Sequence, residues 1–214
     1  MTLDKTQIAV KLFNENAKAY QERNKDMTPF HASLDVLCAA IVTGAAEVLE
    51  LACGPGNITK YMRSKRPELR ILATDLAPNM LTLAQENDPQ ASFQMLDCRD
   101  IVSLGRSFDA IVCGFCLPYL DPEEATQLIT DSAAVLREHG VIYLSTMEDD
   151  PAKSGWRSSS SSPGEQIYMH FHLGAFLTDV LQANGFSVLH ISRVPSTAAD
   201  GTLFTDMMIV AQKA

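Results

Sequence analysis

Apolar positions in the first forty residues recur at helical spacing. Ile8, Leu12, Phe13 and Ala17 share one face, with Tyr20 closing the stripe. Thr28 can cap a second helix with Pro29 at its first position, and Leu34, Leu37, Cys38, Ile41 and Val42 supply its buried face. Gly44 ends it. From Ala46 the pattern changes to short apolar runs at 47–52, 70–74, 92–96, 108–113 and 141–146, separated by helical patterns at 58–66, 78–87 and 122–138. Pro78 and Asp121-Pro122-Glu123-Glu124 are helix starts, the second with the reach-back Glu of a capping box, and His139-Gly140 reads as a helix end. Strand and helix alternating in this way predict parallel strands joined by right-handed crossovers, hence a doubly wound α/β sheet.

The rhythm breaks at 149–164, where Ser158 to Ser162 precede Pro163-Gly164. Such a stretch reads either as a flexible surface loop or as a lid over a substrate. A last helix carries Leu173, Phe176, Leu177, Val180 and Leu181 on one face and stops at Gly185. Two closing strands, 186–191 and 204–211, are joined by a short turn-rich connection at 195–201, which predicts an antiparallel pair. The expected organisation is an N-terminal helical cap over residues 1–44 and one α/β domain over residues 45–214.

Bulk properties narrow the function. A chain of 214 residues with 46% hydrophobic and 20% charged residues is ordinary for one globular domain. Neither a membrane-spanning apolar run nor a secretory leader is visible, so a cytoplasmic location is expected. A net charge of −9 disfavours nucleic acid as a partner, since phosphate binding needs a basic face. Lys60, Arg63, Lys65, Arg66 and Arg70 cluster on one predicted helix and its exit, where a solvated surface is the simpler reading. The five cysteines are scattered and odd in number, which suits reduced thiols. Cys113-Gly114-Phe115-Cys116 spells C-x-x-C but lacks a second ligand pair, so no metal is expected.

In a parallel sheet, ligands sit beyond the carboxyl ends of the strands, where strand order reverses. The stretch Val48-Leu49-Glu50-Leu51-Ala52-Cys53-Gly54-Pro55-Gly56-Asn57 is the first strand–turn–helix after Ala46 and therefore the candidate cofactor turn. Gly54 and Gly56 let the chain turn tightly, and Asp75, nineteen residues past Gly56, is spaced to take ribose hydroxyls. Glu50 decides between cofactors. A carboxylate at the strand end repels a pyrophosphate and attracts a cation, and S-adenosylmethionine brings both an ammonium and a sulfonium. A dinucleotide site would also want a third glycine, where this chain has Thr59.

Val48 to Gly56 closely resembles the first motif of the class I S-adenosylmethionine-dependent methyltransferases. Asp75-Leu76-Ala77-Pro78-Asn79-Met80-Leu81 is similar to their second motif, and Leu96-Asp97-Cys98-Arg99-Asp100 to their adenine-side segment. Phe108-Asp109-Ala110-Ile111-Val112-Cys113 resembles the fourth-strand motif, and Val135 to Val141 the lead into strand five. The resemblance implies a single Rossmann-like sheet of seven strands, mostly parallel with the last antiparallel. It also implies roles for individual residues. Glu50 and the backbone around Ala52, Cys53 and Gly54 would hold the methionine part, within the turn that runs to Asn57. Asp75 would hold the ribose, Leu76 and Met80 would flank the adenine, and Asp97, Cys98 and Arg99 belong to the segment at its ring edge. Gly114 and Phe115 would floor the sulfonium, and Tyr20 could close over the carboxylate end. Ala52 departs from the family, which most often has glycine there.

Transfer of a methyl group to an O, N, C or S nucleophile needs positioning and exclusion of water, and a general base only when the acceptor must lose a proton. No single catalytic residue is therefore dictated. Candidate acceptor contacts are Tyr119 after the fourth strand, Trp156 in the serine-rich stretch, and His170 before the last helix. Trp156 could equally pack as an ordinary side chain. His170 and His172 share a face if the chain is extended there but lack a third metal ligand; capping or a solvated position is the alternative for either. The expectation is methyl transfer to a small molecule. The competing readings are a cofactor-binding regulatory module without turnover and a nicotinamide-dependent oxidoreductase.

Overall fold

The computed structural model describes residues 4–159, 162, 164–197 and 202–214. Seven strands form one sheet: β1 (Glu47–Leu51), β2 (Arg70–Asp75), β3 (Ser92–Met95), β4 (Phe108–Gly114), β5 (Leu136–Glu148), β8 (Phe186–Thr197) and β9 (Leu203–Lys213). Their order is β3-β2-β1-β4-β5-β9-β8, so it reverses between β1 and β4. The β3-β2-β1-β4-β5 pairings are parallel, and β9 runs antiparallel to both of its neighbours. The doubly wound, mostly parallel sheet with an antiparallel last strand is as the sequence pattern predicts.

Crossover helices α4 (Asn57–Lys65), α5 (Pro78–Asn87), α6 (Pro122–Val135) and α7 (Gly174–Ala183) cover the sheet with α3 (His31–Ala40), while the N-terminal helices α1 (Lys5–Glu15) and α2 (Ala17–Arg23) pack on α5. Alternation along the strands divides the core into two layers. Leu49, Leu51, Ile111, Ile142 and Ile209 join one layer with residues of α6 and α7. Val48, Val112, Tyr143, Met208 and Val210 join the other with residues of α3 and α4. Glu50 shares the face of Val48, so its carboxylate occupies a core position.

Local capping chemistry explains several boundaries. Asp121 and Glu124 form the anticipated capping box at the start of α6. That helix stops at Val135, not at residue 138 as its pattern suggests, because Leu136 turns extended, pairs with Phe108 and is buried. Lys213 then donates to the carbonyls of Ala133 and Leu136 at 2.6 and 2.8 Å, satisfying groups that the helix end leaves free. The left-handed residue His139 (φ 61°) accordingly lies in the start of β5, not at a helix end.

The first apolar stripe is broken in two at Asn16, whose side-chain amide donates to the Leu12 carbonyl and competes with the helix. Thr28 begins a 3-10 turn, Thr28–Phe30, ahead of α3, and α3 ends before Ile41, which leaves Val42 exposed and not on the buried face. The stretch 149–164 is not one loop: it contains a short 3-10 turn, Pro151–Lys153, and the strand β6 (Gly155–Ser158), paired antiparallel with β7 (Gln166–Met169). Positions 160, 161 and 163 of the serine-rich stretch, 198–201 of the last connection, and 1–3 lie outside the described residues. Up to Thr197 that connection is strand, with Pro195 paired to Thr205.

Candidate active site

β1 ends at the switch point, and the turn that follows is built from left-handed backbone. Ala52, Gly54 and Gly56 have φ of 49°, 55° and 80°. Glycine at 56 is favoured twice over, since a Cβ there would also lie 3.1 Å from the Cβ of Ala84 on α5. Ala52 adopts this conformation with a side chain, at a steric cost of about 1–2 kcal/mol.

Asp75, at the end of β2, accepts from the backbone N–H of Gly54 and of Ala77, both at 2.8 Å. It ties the first turn to the second and keeps acceptor capacity, because a carboxylate has about four lone-pair sites. Burial raises its pKa, while these backbone donors pull the other way. Glu50 is 1% exposed, and its carboxylate accepts from the Thr59 hydroxyl on α4. Burial pushes its pKa up to about 8; the Thr59 bond opposes this and the Asp75 charge adds to it. Among the described residues, Glu50 has no ion-pair partner.

Two adjoining cavities open over the carboxyl ends of these strands. The smaller, of about 110 Å³, is lined on the β1 and β2 side by Ala52, Gly54, Asp75, Leu76 and Met80. Asp97, Cys98 and Arg99 line it after β3; Gly114, Phe115 and Tyr119 after β4; and Tyr20 closes it from the cap. The larger, of about 570 Å³, is bordered by Glu50, Cys53 and Asn57 and shares Tyr20, Ala52, Gly54, Gly114, Phe115 and Tyr119 with the first. The residues singled out around the cofactor turn thus line two adjoining cavities with shared walls.

Several of these side chains are held in place by other residues. Asn57 donates to the Asn24 carbonyl at 2.8 Å, fastening α4 to the end of α2. Arg99 pairs with Asp97 at 2.6 Å and with Glu124 at 2.8 Å; although burial opposes it, Arg99 holds the Asp97 carboxyl below its ordinary range. Tyr20, Phe13 and Tyr119 form an edge-to-face chain with centroid separations of 5.5 and 5.2 Å. Burial, reinforced by Asp75, pushes the Tyr20 phenol up to about 12, so it remains a neutral donor at physiological pH.

Two expected acceptor contacts stand elsewhere. On the β6–β7 hairpin, Arg157, Ile167 and Met169 line the larger cavity, and alternation turns Trp156 and Tyr168 to the opposite side. Trp156 is about half exposed and meets Tyr168 edge-on, and the His170 ring is 4.8 Å from Tyr168; neither lines either of these two cavities. The backbone N–H of His170 donates to Pro118, while buried His172 engages the carbonyls of Leu117 and Leu120. The segment therefore braces the turn that carries Tyr119. Phe13, Phe30, Thr59, Arg157 and Asp206 are wall or support residues that the sequence pattern does not assign to the site. All five cysteines are free and buried. Among the described residues no cluster of His, Cys, Asp or Glu could hold a metal, and no helix is long and apolar enough to cross a membrane.

Residues 48–140 match the family described as the methyltransferase domain. Trans-aconitate 2-methyltransferase of Variovorax paradoxus is 32% identical over 110 residues, covering 51% of this chain and 42% of that protein. Ubiquinone biosynthesis O-methyltransferase of Xanthomonas campestris pv. campestris is 28% identical over 145 residues, covering 64% of this chain and 59% of that one. The chain therefore spans about half the length of these curated relatives. In fold it is similar to magnesium protoporphyrin IX methyltransferase from Synechocystis, solved with bound S-adenosylmethionine, at a TM-score of 0.72 and 18% identity, covering 100% of this chain and 99% of that one. Motif order, family match and strand order agree: over residues 48–140 this chain is similar to the methyltransferase domain family.

Proposed function

We propose that the protein uses S-adenosylmethionine to methylate a small-molecule acceptor. The observation that carries this reading is Glu50, a buried carboxylate bordering the larger cavity with no cationic partner among the described residues. Burying an acid without a counter-ion is costly, so a site that maintains one suits a cationic ligand. A pyrophosphate there would meet repulsion.

When bound, S-adenosylmethionine supplies a methyl group already activated on a sulfonium. The chain's contribution is to bind, orient and exclude water. Glu50 and the turn from Ala52 to Gly54 are read as the holders of the amino-acid end, and Asp75 as the acceptor of ribose hydroxyls. Leu76 and Met80 offer apolar contact to the base, and Asp97 with the Cys98–Arg99 backbone offers polar contact to its edge. Gly114 and Phe115 form the shared wall between the two cavities, so they are read as the floor near the reacting group. Tyr20 and Tyr119, linked through Phe13, shield the same place from water. The helical segment up to residue 44 is read as a cap that completes the site.

The small-molecule metabolism named for the two curated relatives supports the acceptor class. The basic cluster on α4 supports it too. Arg63 pairs with Asp88, Lys65 with Asp35, and Arg66 donates to the carbonyls of Cys38 and Ile41, so these cations serve the fold and leave little for phosphate. Free, buried thiols suit a reducing compartment, the cytoplasm. A calorimetric titration tests the reading: S-adenosylmethionine and S-adenosylhomocysteine should bind while NAD does not. Binding of NAD with no binding of the methyl donor would overturn it.

A further inference from the structure

Among the described residues, Arg157 stands out on the wall of the larger cavity as a polar group with an unpaired buried donor. Arg157 lines the cavity from β6, its guanidinium lying 4.8 Å above the Phe171 ring. One Nη donates to the Lys153 carbonyl at 3.2 Å, a neutral acceptor. The Nε of Arg157 is buried and has no hydrogen-bond partner among the described residues, and the side chain forms no ion pair among them. Buried polar atoms are rarely left unsatisfied, and one at a cavity wall calls for an explanation. A guanidinium carbon held 4.8 Å from the centre of an aromatic ring is restrained in position, and its planar fork suits two-point recognition of a planar anion.

The surrounding wall indicates what else the ligand must be. Phe30, Phe115, Ile167, Met169, Phe171 and Phe204 make it mostly apolar, with several aromatic faces. Of the nearby acids, Asp149 feels the Arg157 charge but pairs with Lys153 at 2.7 Å, and Glu50 is the acid read as open to the cation of the cofactor. Asp206 accepts from Ser196 at 2.5 Å, and its burial favours the neutral form; Asp26 accepts from the backbone N–H of Thr28; Glu50 accepts from Thr59.

We infer that the acceptor of this enzyme is an apolar, planar molecule bearing a carboxylate, which Arg157 holds against the β6–β7 hairpin. The inference deepens the proposed function and rests on that reading for the word acceptor. The anion site itself stands on Arg157 and its surroundings alone.

The test uses the full chain and two matched probes, 3-hydroxy-2-naphthoate and 3-hydroxy-2-naphthamide, titrated by calorimetry with and without S-adenosylhomocysteine. The wild-type protein should bind the carboxylate at least tenfold tighter than the amide, with a preference that shrinks as salt is raised. Arg157→Gln should reduce the preference to within about twofold, and Arg157→Lys should leave an intermediate one, keeping charge without the planar fork. Equal wild-type affinities, no binding of either probe at millimolar concentration, or a preference that survives Arg157→Gln would each overturn the inference. The wild-type comparison decides the matter even if the glutamine variant does not fold. Titration of S-adenosylhomocysteine alone separates the two claims. Cofactor binding without carboxylate preference sinks only the anion site, and the reverse pattern sinks only the methyltransferase reading.

Discussion

The smaller cavity takes most of its wall from consecutive strand–turn units, β1 through β4, within about seventy residues of chain. The larger one gathers the cap loop around Met27–Phe30, the turn carrying Tyr119, the β6–β7 hairpin, and the facing ends of β8 and β9. In the first, backbone does most of the holding: Asp75 is clamped by two N–H groups and the turn by left-handed residues. In the second, side chains from distant segments make an apolar wall with isolated charges. A cofactor common to a family can be held by local backbone geometry, whereas an acceptor specific to one protein must be recognised by parts free to vary.

Substitutions at each wall can break or sharpen that contrast. Glu50→Gln keeps the shape of the turn and removes its charge. The affinity for S-adenosylmethionine should fall on the order of 100-fold, as for breaking a buried ion pair, while 5′-methylthioadenosine, which lacks the ammonium, should lose little. Asp75→Ala comes next. A hydrogen bond to a charged group is worth about 1.5–3 kcal/mol, so calorimetry should show at least a tenfold loss, and unchanged affinity would remove Asp75 from the site. Thr59→Val, which takes away the donor to Glu50, should weaken the cofactor by roughly threefold, the scale of one ordinary hydrogen bond. Smallest is Ala52→Gly. Relief of left-handed strain, partly offset by the entropy of glycine, should raise the melting temperature by about 2 °C, with cofactor affinity changed less than twofold. A fall in melting temperature would mean that the Ala52 methyl packs usefully.

The same contrast explains what could be read before any coordinates. The strand–helix rhythm, the capping box of Asp121, the start of α5 at Pro78 and the acids Glu50 and Asp75 are local signals, and local signals survive in a linear sequence. The β6–β7 hairpin was hidden because a serine-rich stretch resembles a loop and its apolar alternation spans only four residues per strand. Phase was hidden as well. Trp156 and Arg157 are adjacent, and only the register against Tyr168 and Ile167 decides which one faces the cavity. Asp206, within a strand that otherwise reads as core, gave no sign of reaching the site, because that depends on β9 inserting between β5 and β8.

The central claim is that Glu50 is a buried acid waiting for a cation, and proton linkage tests it most directly. With a folded pKa near 8 against an ordinary 4.5, Glu50 keeps its proton through the window in which the unfolded chain loses it. Stability of the cofactor-free protein should therefore fall as pH rises from about 4.5 to 8, with a slope of the same sign from the raised pKa of Asp75, and the Glu50 share should vanish in Glu50→Gln. A bound ammonium favours the ionised carboxylate, so binding must expel that proton. Calorimetric titration of S-adenosylhomocysteine at pH 7, repeated in buffers of different ionisation enthalpy, should show release of about one proton per cofactor from the wild type and markedly less from Glu50→Gln. Tight binding to the wild type with no proton released would contradict the account.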